Sequence, residues 1–219
     1  MQEITIRAFK KSGVSVEALY ELFKDGYQQW SDNNIDSAFL HKTPEEFRKV
    51  IDRAKTFVAQ DAETGELLGM HCFYTYREKY VFGFFLAILP SVKRQGIATR
   101  MLQKEVEILK RNGYRYIKSN TSTRAVWSVQ WHLKNGYCIV GYSRNERNNN
   151  ASYTFRKQIA ADVRHHPTDL LWMRPIAPVT AKIRYCLSWL VACICKDKTG
   201  KLNVIGRIAK EVRSKMSEG

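Results

Sequence analysis

The segment Leu89-Pro90-Ser91-Val92-Lys93-Arg94-Gln95-Gly96-Ile97-Ala98-Thr99-Arg100 decides the fold that this sequence predicts. An apolar strand ends at Pro90, and the apolar residues from Ile97 onward have helical spacing. Because the first N–H groups of a helix have no partners within it, they can donate to phosphate oxygens. Gly96 permits close approach of a ligand to the backbone, and Lys93 and Arg94 add positive charge. The segment therefore predicts a phosphate-binding loop, with an ordinary solvated loop as the alternative.

Strand and helix patterns alternate on both sides of this loop. Residues 79–89 are nearly all apolar, as in a strand covered on both faces, and they form the predicted centre of a sheet. A helix from Ser15 is predicted to stop at Gly26, and Thr43-Pro44-Glu45-Glu46 has the cap, the proline and the acidic residues of a helix start. The other predicted strands are 4–8, 56–60, 67–76, 114–119, 137–142 and 152–158, and the other predicted helices are 97–111 and 124–135. This order predicts an α/β (α+β) domain.

Length and composition restrict the classes of protein to which this chain can belong. With 219 residues, of which 44% are hydrophobic, the chain can bury a substantial core, which excludes wholesale disorder. Its apolar runs are shorter than a membrane-spanning helix needs and its first residues lack a signal-peptide pattern, so we expect a cytoplasmic protein. Residues that break regular structure, His165-His166-Pro167, Pro175 and Pro178, predict a boundary near residue 160. The expected organisation is a domain of residues 1–160 and a basic, helical C-terminal extension of residues 161–219.

Net charge and cysteine content narrow the choice of ligands. The net charge of +15 attracts polyanions, and nucleic acid, anionic lipid and phosphorylated cofactors all qualify. The five cysteines are scattered and mostly lie among apolar residues, as expected of reduced thiols. Cys193 and Cys195 form a lone C-x-C pair without nearby histidines, which falls short of a zinc site. We therefore predict no metal, and charge alone does not choose among the three kinds of anion.

The order of elements around the loop resembles that of the GNAT N-acetyltransferase superfamily. The acetyl-CoA loop of that family reads Q/R-x-x-G-x-G/A; Lys93 replaces its first residue here, whereas Gly96 and Ala98 match. Lys134-Asn135-Gly136-Tyr137 is similar to the family's K-x-G-F junction between the last helix and the next strand. The resemblance covers residues 4–158 and implies a mixed, mostly antiparallel central sheet flanked by helices.

The resemblance also implies how acetyl-CoA, the co-substrate, binds. The strands 79–89 and 114–119 are expected to splay apart, so that the pantetheine arm pairs with main-chain groups of the first of them. The diphosphate is expected on the N–H groups of the loop. The implied cofactor-binding residues are Leu86, Ala87, Ile88, Lys93, Arg94, Gln95, Gly96, Ile97, Ala98 and Thr99.

In the chemistry that the resemblance implies, an amine attacks the thioester directly, and no covalent enzyme intermediate is needed. His132 falls where members often carry a tyrosine and is the first candidate for the proton donor; a buried helix histidine bonded to a backbone carbonyl is the alternative. Tyr137 is a second candidate donor, although an aromatic residue there is usually part of the core. Glu78 is the candidate base, and the alternative is a solvated charge with a water chain in the place of the base.

The acceptor is expected against residues 27–41, where the family has a variable wall. Trp30 and Asp32 are the candidate acceptor-binding residues of that segment, with an exposed loop as the alternative. His71, which strand alternation places opposite its neighbours, touches the acceptor, acts as a base, or is a core histidine. We expect acetylation of a primary amine of a small molecule, such as an amino sugar or envelope precursor. A protein N-acetyltransferase and a catalytically weak nucleic-acid-binding or regulatory module are the alternatives.

The extension contains an apolar stretch, residues 183–194, that is too short to cross a bilayer but long for an exposed surface. We expect it to pack on the main domain or on the mate in a homodimer. Residues 202–212 have a basic amphipathic pattern, which offers peripheral contact with an anionic membrane as the alternative. Nucleic acid is not expected as a partner.

Overall fold

Seven strands form one mixed sheet in the computed structural model, which describes residues 3–33, 35, 38–77, 79–145, 150–160 and 173–195. The strands are β1 (Ile4–Ala8), β2 (Lys55–Asp61), β3 (Leu67–Tyr76), β4 (Tyr80–Ile88), β5 (Tyr116–Ser122), β6 (Cys138–Asn145) and β7 (Asn150–Gln158). The helices are α1 (Val16–Asp32), α2 (Pro44–Arg53), α3 (Ile97–Arg111), α4 (Val126–Lys134) and α5 (Met173–Cys195). The strand order is β1-β2-β3-β4-β5-β7-β6. Only β4 and β5 pair in parallel, which confirms the mixed, mostly antiparallel sheet.

The helix start predicted at Thr43 is confirmed. The Thr43 hydroxyl accepts from the Glu46 N–H, and the Glu46 carboxylate accepts from the Thr43 N–H, so both donors at the start of α2 are satisfied. Pro44 occupies the first turn, where its missing N–H costs nothing. Phe47 and Ile51 then face the core.

The predicted end of the first helix at Gly26 is wrong, because α1 continues to Asp32. Gly26 lies where α1 crosses β4, and a Cβ at this position would lie 2.8 Å from the Ala87 Cβ. The glycine therefore serves close packing between helix and sheet. The buried face continues past it to Tyr27, which favours further helix.

The two faces of the sheet carry separate cores. On one face α1 and α2 cover a core that includes Phe47, Met70 and Phe85, and on the other α3 and α4 cover a core that includes Val81 and Ile117. The register between β3 and β4 shifts between Cys72 and Phe73, because Phe84 is an extra residue on β4. This bulge reverses the alternation of β4 and turns the side chains on either side of it toward opposite faces.

Helix α5 begins ten residues earlier than the apolar stretch predicted at 183–194. Pro175 lies in its first turn and Pro178 lies inside it, so these prolines do not break the helix as predicted. Ala177 and Ala181 are fully buried, and α5 contacts α4 and β6. The opposite face exposes four apolar side chains, Ile176, Val179, Ile183 and Leu187. Residues 161–172 and 196–219, which include the amphipathic pattern, lie outside the described residues, and the domain boundary near 160 stays a prediction. No helix in the described ranges is sufficiently long and apolar to span a membrane.

Candidate active site

A cleft of about 1000 Å³ opens where β4 and β5 separate. Their last residue pair is Gly83 with Ser119, and beyond it β4 continues to Ile88 and β5 to Ser122 without pairing to each other. The predicted splay of these strands is therefore present. Residues of α1, β4, β5, α4 and the loop before α3 line the cleft.

The loop before α3 forms a concave turn at one end of this cleft. Gly96 is the N-cap of α3 with φ +80°, and a Cβ there would meet nothing within 4 Å. The first turn closes with the bond from the Arg100 N–H to the Gly96 carbonyl, so the N–H groups of residues 97–99 have no acceptors within the helix. Arg94 also has a positive φ, +67°, and lines the cleft. Positive dihedral angles and unpaired N–H groups make a nest that suits an anion.

Six of the seven predicted loop residues line the cleft: Lys93, Arg94, Gly96, Ile97, Ala98 and Thr99. Gln95 is exposed and is not among the lining residues. The Lys93 ammonium instead reaches back to α1, where it donates to the Gly26 carbonyl at 3.3 Å and to Gln29 Oε1 at 3.4 Å. Burial lowers the pKa of Lys93. This lysine therefore ties the loop to α1 in addition to supplying charge.

The β4 wall of the cleft contains two of the three predicted residues. Leu86 and Ile88 line the cleft, whereas Ala87 is buried against α1. The Leu86 N–H donates to the Tyr27 hydroxyl at 3.2 Å, so a ligand that pairs with Leu86 replaces this bond. Tyr27, the first residue of the predicted acceptor wall, also lines the cleft. Its bond to β4 was not predicted, because it depends on the continuation of α1 past Gly26.

His132 lies at the closed end of the cleft and is 6% exposed. Its Nδ1 is 2.7 Å from the Ser128 carbonyl oxygen, which can only accept, so Nδ1 carries the hydrogen. Its Nε2 then accepts from the Ser119 hydroxyl at 3.0 Å. The pKa of His132 is lowered to about 4, mainly by burial; the bond to Ser128 opposes this shift and electrostatic repulsion from His71 adds to it. Nε2 of neutral His132 is thus an acceptor, and Nδ1 makes the carbonyl bond of the alternative reading. The role of His132 as the proton donor stays a prediction.

Tyr137 packs its ring against His132, with 4.9 Å between the ring centroids, and lines the same end of the cleft. It is 1% exposed. Burial raises the pKa of Tyr137, and the charge of Glu105 adds to this shift. The phenol therefore stays protonated at neutral pH, which suits either a donor or a core residue.

His71 and Glu105 form a buried pair on the other wall. His71 Nδ1 lies 2.9 Å from Glu105 Oε2, and the exposed fractions of the two side chains are 6% and 0%. His71 lines the cleft, as the acceptor-binding prediction requires. Glu105 was missed, although its place four residues after Met101 and four before Leu109, on the apolar stripe of α3, marks it as buried.

Two other predicted residues, Trp30 and Asp32, lie on α1. Trp30 lines the cleft and meets the Trp127 ring edge-on, with 6.2 Å between the centroids. Asp32 is exposed at the end of α1 and accepts from Gln28. Glu78 lies outside the described residues. Within the described ranges, His, Cys, Asp and Glu side chains form no group of three or more that could hold a metal ion.

Known proteins share this fold. The model of the Acetyltransferase (GNAT) family matches residues 16–137. The PaiA N-acetyltransferase from Thermoplasma acidophilum, solved in complex with coenzyme A, is 16% identical with a TM-score of 0.56, and the match covers 71% of this chain and 99% of that chain. A GNAT family acetyltransferase from Elizabethkingia anophelis with acetyl-CoA bound is 15% identical with a TM-score of 0.55, and the match covers 71% and 97%. No curated protein matches the sequence significantly.

At such identities the solved structures show the fold alone. The family model, in contrast, spans more than half of the chain and includes the loop, most of the cleft lining and α4. Acetyl-CoA is the acetyl donor of this family, and the open N-terminus of α3 and the split between β4 and β5 fit such a donor. The chain therefore belongs to the GNAT family of acetyltransferases.

Proposed function

We propose that the protein transfers the acetyl group of acetyl-CoA to a primary amine of a small molecule, by direct attack of the amine on the thioester. The observation that carries this proposal is the continuity of one cleft. The same cleft runs from the anion-binding turn at Gly96, along the unpaired part of β4, to titratable side chains at its closed end.

The chain's own groups account for binding of the donor. The N–H groups of residues 97–99 and the side chain of Arg94 would hold the diphosphate. Beyond Gly83 the β4 backbone lacks a neighbouring strand on the side of β5, so an extended pantetheine arm can pair with it as an added strand would. Lys93 would keep the loop at a fixed distance from α1 while the donor binds.

The aromatic lining of the cleft favours a small acceptor. Trp30 from α1 and Trp127 from α4 both line the cleft, and their rings are in edge-on contact. A concave site with an aromatic lining suits a small amine better than a folded protein surface. A direct attack also needs no nucleophilic thiol, and Cys72 and Cys138 are both buried in the core.

Incubation of the full chain with acetyl-CoA and a pool of primary amines tests the proposal. We expect release of free coenzyme A thiol and a product that is heavier by one acetyl group, detected by mass spectrometry. Gly96→Glu should abolish both signals, because it puts a carboxylate where the diphosphate binds. Gly65→Glu is the matched control, since Gly65 also has a positive φ and open space around it, in the turn between β2 and β3, and does not line the cleft.

Peptides with free N-termini and lysines belong in the same pool. Acetylation of peptides in preference to small amines would identify a protein N-acetyltransferase instead. Tight binding of acetyl-CoA without acetylation of any member of the pool would contradict the proposed activity and favour the regulatory alternative.

A further inference from the structure

We propose that His71 is the acid–base group of acetyl transfer and that Glu105 is its positioning residue. This inference rests on the proposed function and names the proton carrier of the same site. His71 Nε2 would accept the proton that the attacking nitrogen releases and return it to the departing sulfur.

Gly83 opens the way to His71 Nε2. A Cβ at position 83 would lie 2.9 Å from His71 Nε2 and 3.3 Å from Phe73 Cε1, so a side chain there would collide with the imidazole. Gly83 is also the last residue of β4 that pairs with β5. The imidazole therefore borders the closed end of the split, where the thioester of an extended donor would stop.

Glu105 is unusual for a residue in the middle of an apolar helix face. Its side chain is fully buried, Oε2 is bonded to His71 Nδ1, and Oε1 has no hydrogen-bond partner among the described residues. A buried carboxylate with an unsatisfied oxygen costs free energy that an apolar side chain at the same position would not. Holding the His71 ring in one orientation, with Nε2 toward the cleft, is a role that accounts for this cost.

The other titratable groups around His71 are less suited to carry the proton. Glu105 from α3 bonds to His71, His132 from α4 interacts with it electrostatically, and Tyr137 from the segment before β6 interacts with Glu105. Burial keeps His132 neutral and Tyr137 protonated. Within the described part of the chain, His71 is the one imidazole at this site with a carboxylate partner, whose negative charge stabilises a transient imidazolium.

The step balances without another reagent. The nitrogen lone pair forms the C–N bond while the carbonyl π pair moves to oxygen, and His71 Nε2 takes the N–H proton. When the carbonyl reforms, the C–S bond breaks with its electron pair on sulfur, and the imidazolium returns the proton to that sulfur. The products are the N-acetyl amine and the coenzyme A thiol, and His71 is neutral again.

The test begins with the wild-type chain labelled with ¹⁵N in its histidines. We expect long-range ¹H–¹⁵N spectra to show His71 with the hydrogen on Nδ1, and its Nε2 resonance to shift when coenzyme A is added. This readout requires no acceptor and no turnover. A His71 resonance that does not respond to saturating coenzyme A overturns the inference, whatever the fate of the proposed function.

Three variants then separate catalysis from folding. With an amine that the wild type acetylates, we expect His71→Gln to lower kcat by about 10²- to 10³-fold, the range of general acid–base catalysis. Glu105→Gln keeps an acceptor for Nδ1 but removes the charge, so it should lower kcat by about tenfold and move the acid limb of kcat/KM to lower pH. Both should bind coenzyme A within about twofold of the wild type in calorimetry. Glu107→Gln, on the exposed face of α3, is the matched control and should behave as the wild type.

Activity of His71→Gln equal to that of the wild type would overturn the role of His71 while leaving the acetyltransferase function intact. An unchanged pH profile in Glu105→Gln would overturn the role of Glu105. A wild type that acetylates no amine refutes the proposed function separately, because the histidine spectra are recorded without an acceptor.

Discussion

The substitution Gly26→Ala adds one methyl group, which raises the helix propensity of α1 but brings the helix into steric conflict with β4. Alanine in the middle of α1 favours the helix by about 1 kcal/mol relative to glycine. The added Cβ, however, would lie 2.8 Å from the Ala87 Cβ and 3.3 Å from both the Ala87 Cα and the Ile88 nitrogen. Two of these three atoms belong to the backbone, so no rotation of a side chain relieves the contact.

The magnitude follows from the distance that must be restored. Carbon atoms at their optimal separation lie about 3.5–4.0 Å apart, so α1 and β4 must separate by about 1 Å. Overpacking of this kind costs about 1–3 kcal/mol, which exceeds the gain in helix propensity. We therefore expect a net loss of about 1 kcal/mol in the free energy of unfolding, and a Tm lower by about 2–4 °C. Affinity for coenzyme A should fall as well, because the Gly26 carbonyl accepts from Lys93.

Thermal and urea unfolding of four proteins provide the assay: wild type, Gly26→Ala, Ala87→Gly and the double variant. Ala87→Gly removes the colliding methyl, so the double variant should be more stable than the sum of the single changes predicts, by about 1 kcal/mol. Ser31→Ala, exposed on the same helix, is the control for propensity and should not lower the Tm. A Gly26→Ala protein with a Tm equal to or above that of the wild type would refute the reasoning.

Three further outcomes are expected. His132 has a pKa of about 4 in the fold against an ordinary 6.5, so the unfolded chain binds the proton first as the pH falls through this window, and stability declines. Between pH 7.5 and pH 5 the wild type should lose about 2 kcal/mol more unfolding free energy than His132→Gln, measured by urea titration; equal losses would contradict this. Lys93→Met should weaken coenzyme A binding about tenfold in calorimetry, whereas Lys104→Met on exposed α3 should not. Ile183→Ser with Leu187→Ser should reduce self-association in light scattering. If this double variant has the same mass in solution as the wild type but no longer binds anionic vesicles, the exposed face of α5 would be assigned to membrane contact.

Local chemistry explains which parts of the fold could be read from the sequence. The cap at Thr43 and the turns at Gly96 and Gly136 each depend on a few adjacent residues, so the local sequence predicts them, and all three are present in the structure. The end of α1 could not be read in this way. Gly26 is a stop signal in isolation, and only its contact with β4 shows that it permits close packing.

In the candidate site, too, the features that depend on neighbouring residues were predictable, and those that depend on contacts between distant residues were not. The anion-binding turn is continuous in the sequence and was predicted from it, although the direction of the Lys93 side chain was not, since its partners lie on α1. His71 and Glu105 are separated by 34 positions, and neither residue alone signals a pair. The bulge at Phe84 arises from the register between two strands and has no signature within one of them.

The join between β4 and β5 consists of four residue pairs, from Tyr80 with Tyr116 to Gly83 with Ser119. The sheet therefore consists of two parts that are joined by these four pairs. A ligand bound in the split would hold the two parts together. A ligand that binds the folded chain alone raises its resistance to unfolding as the ligand concentration rises. The lifetime of this protein in a cell should then follow the supply of coenzyme A, so that starvation for acetyl units would leave it more open to proteolysis.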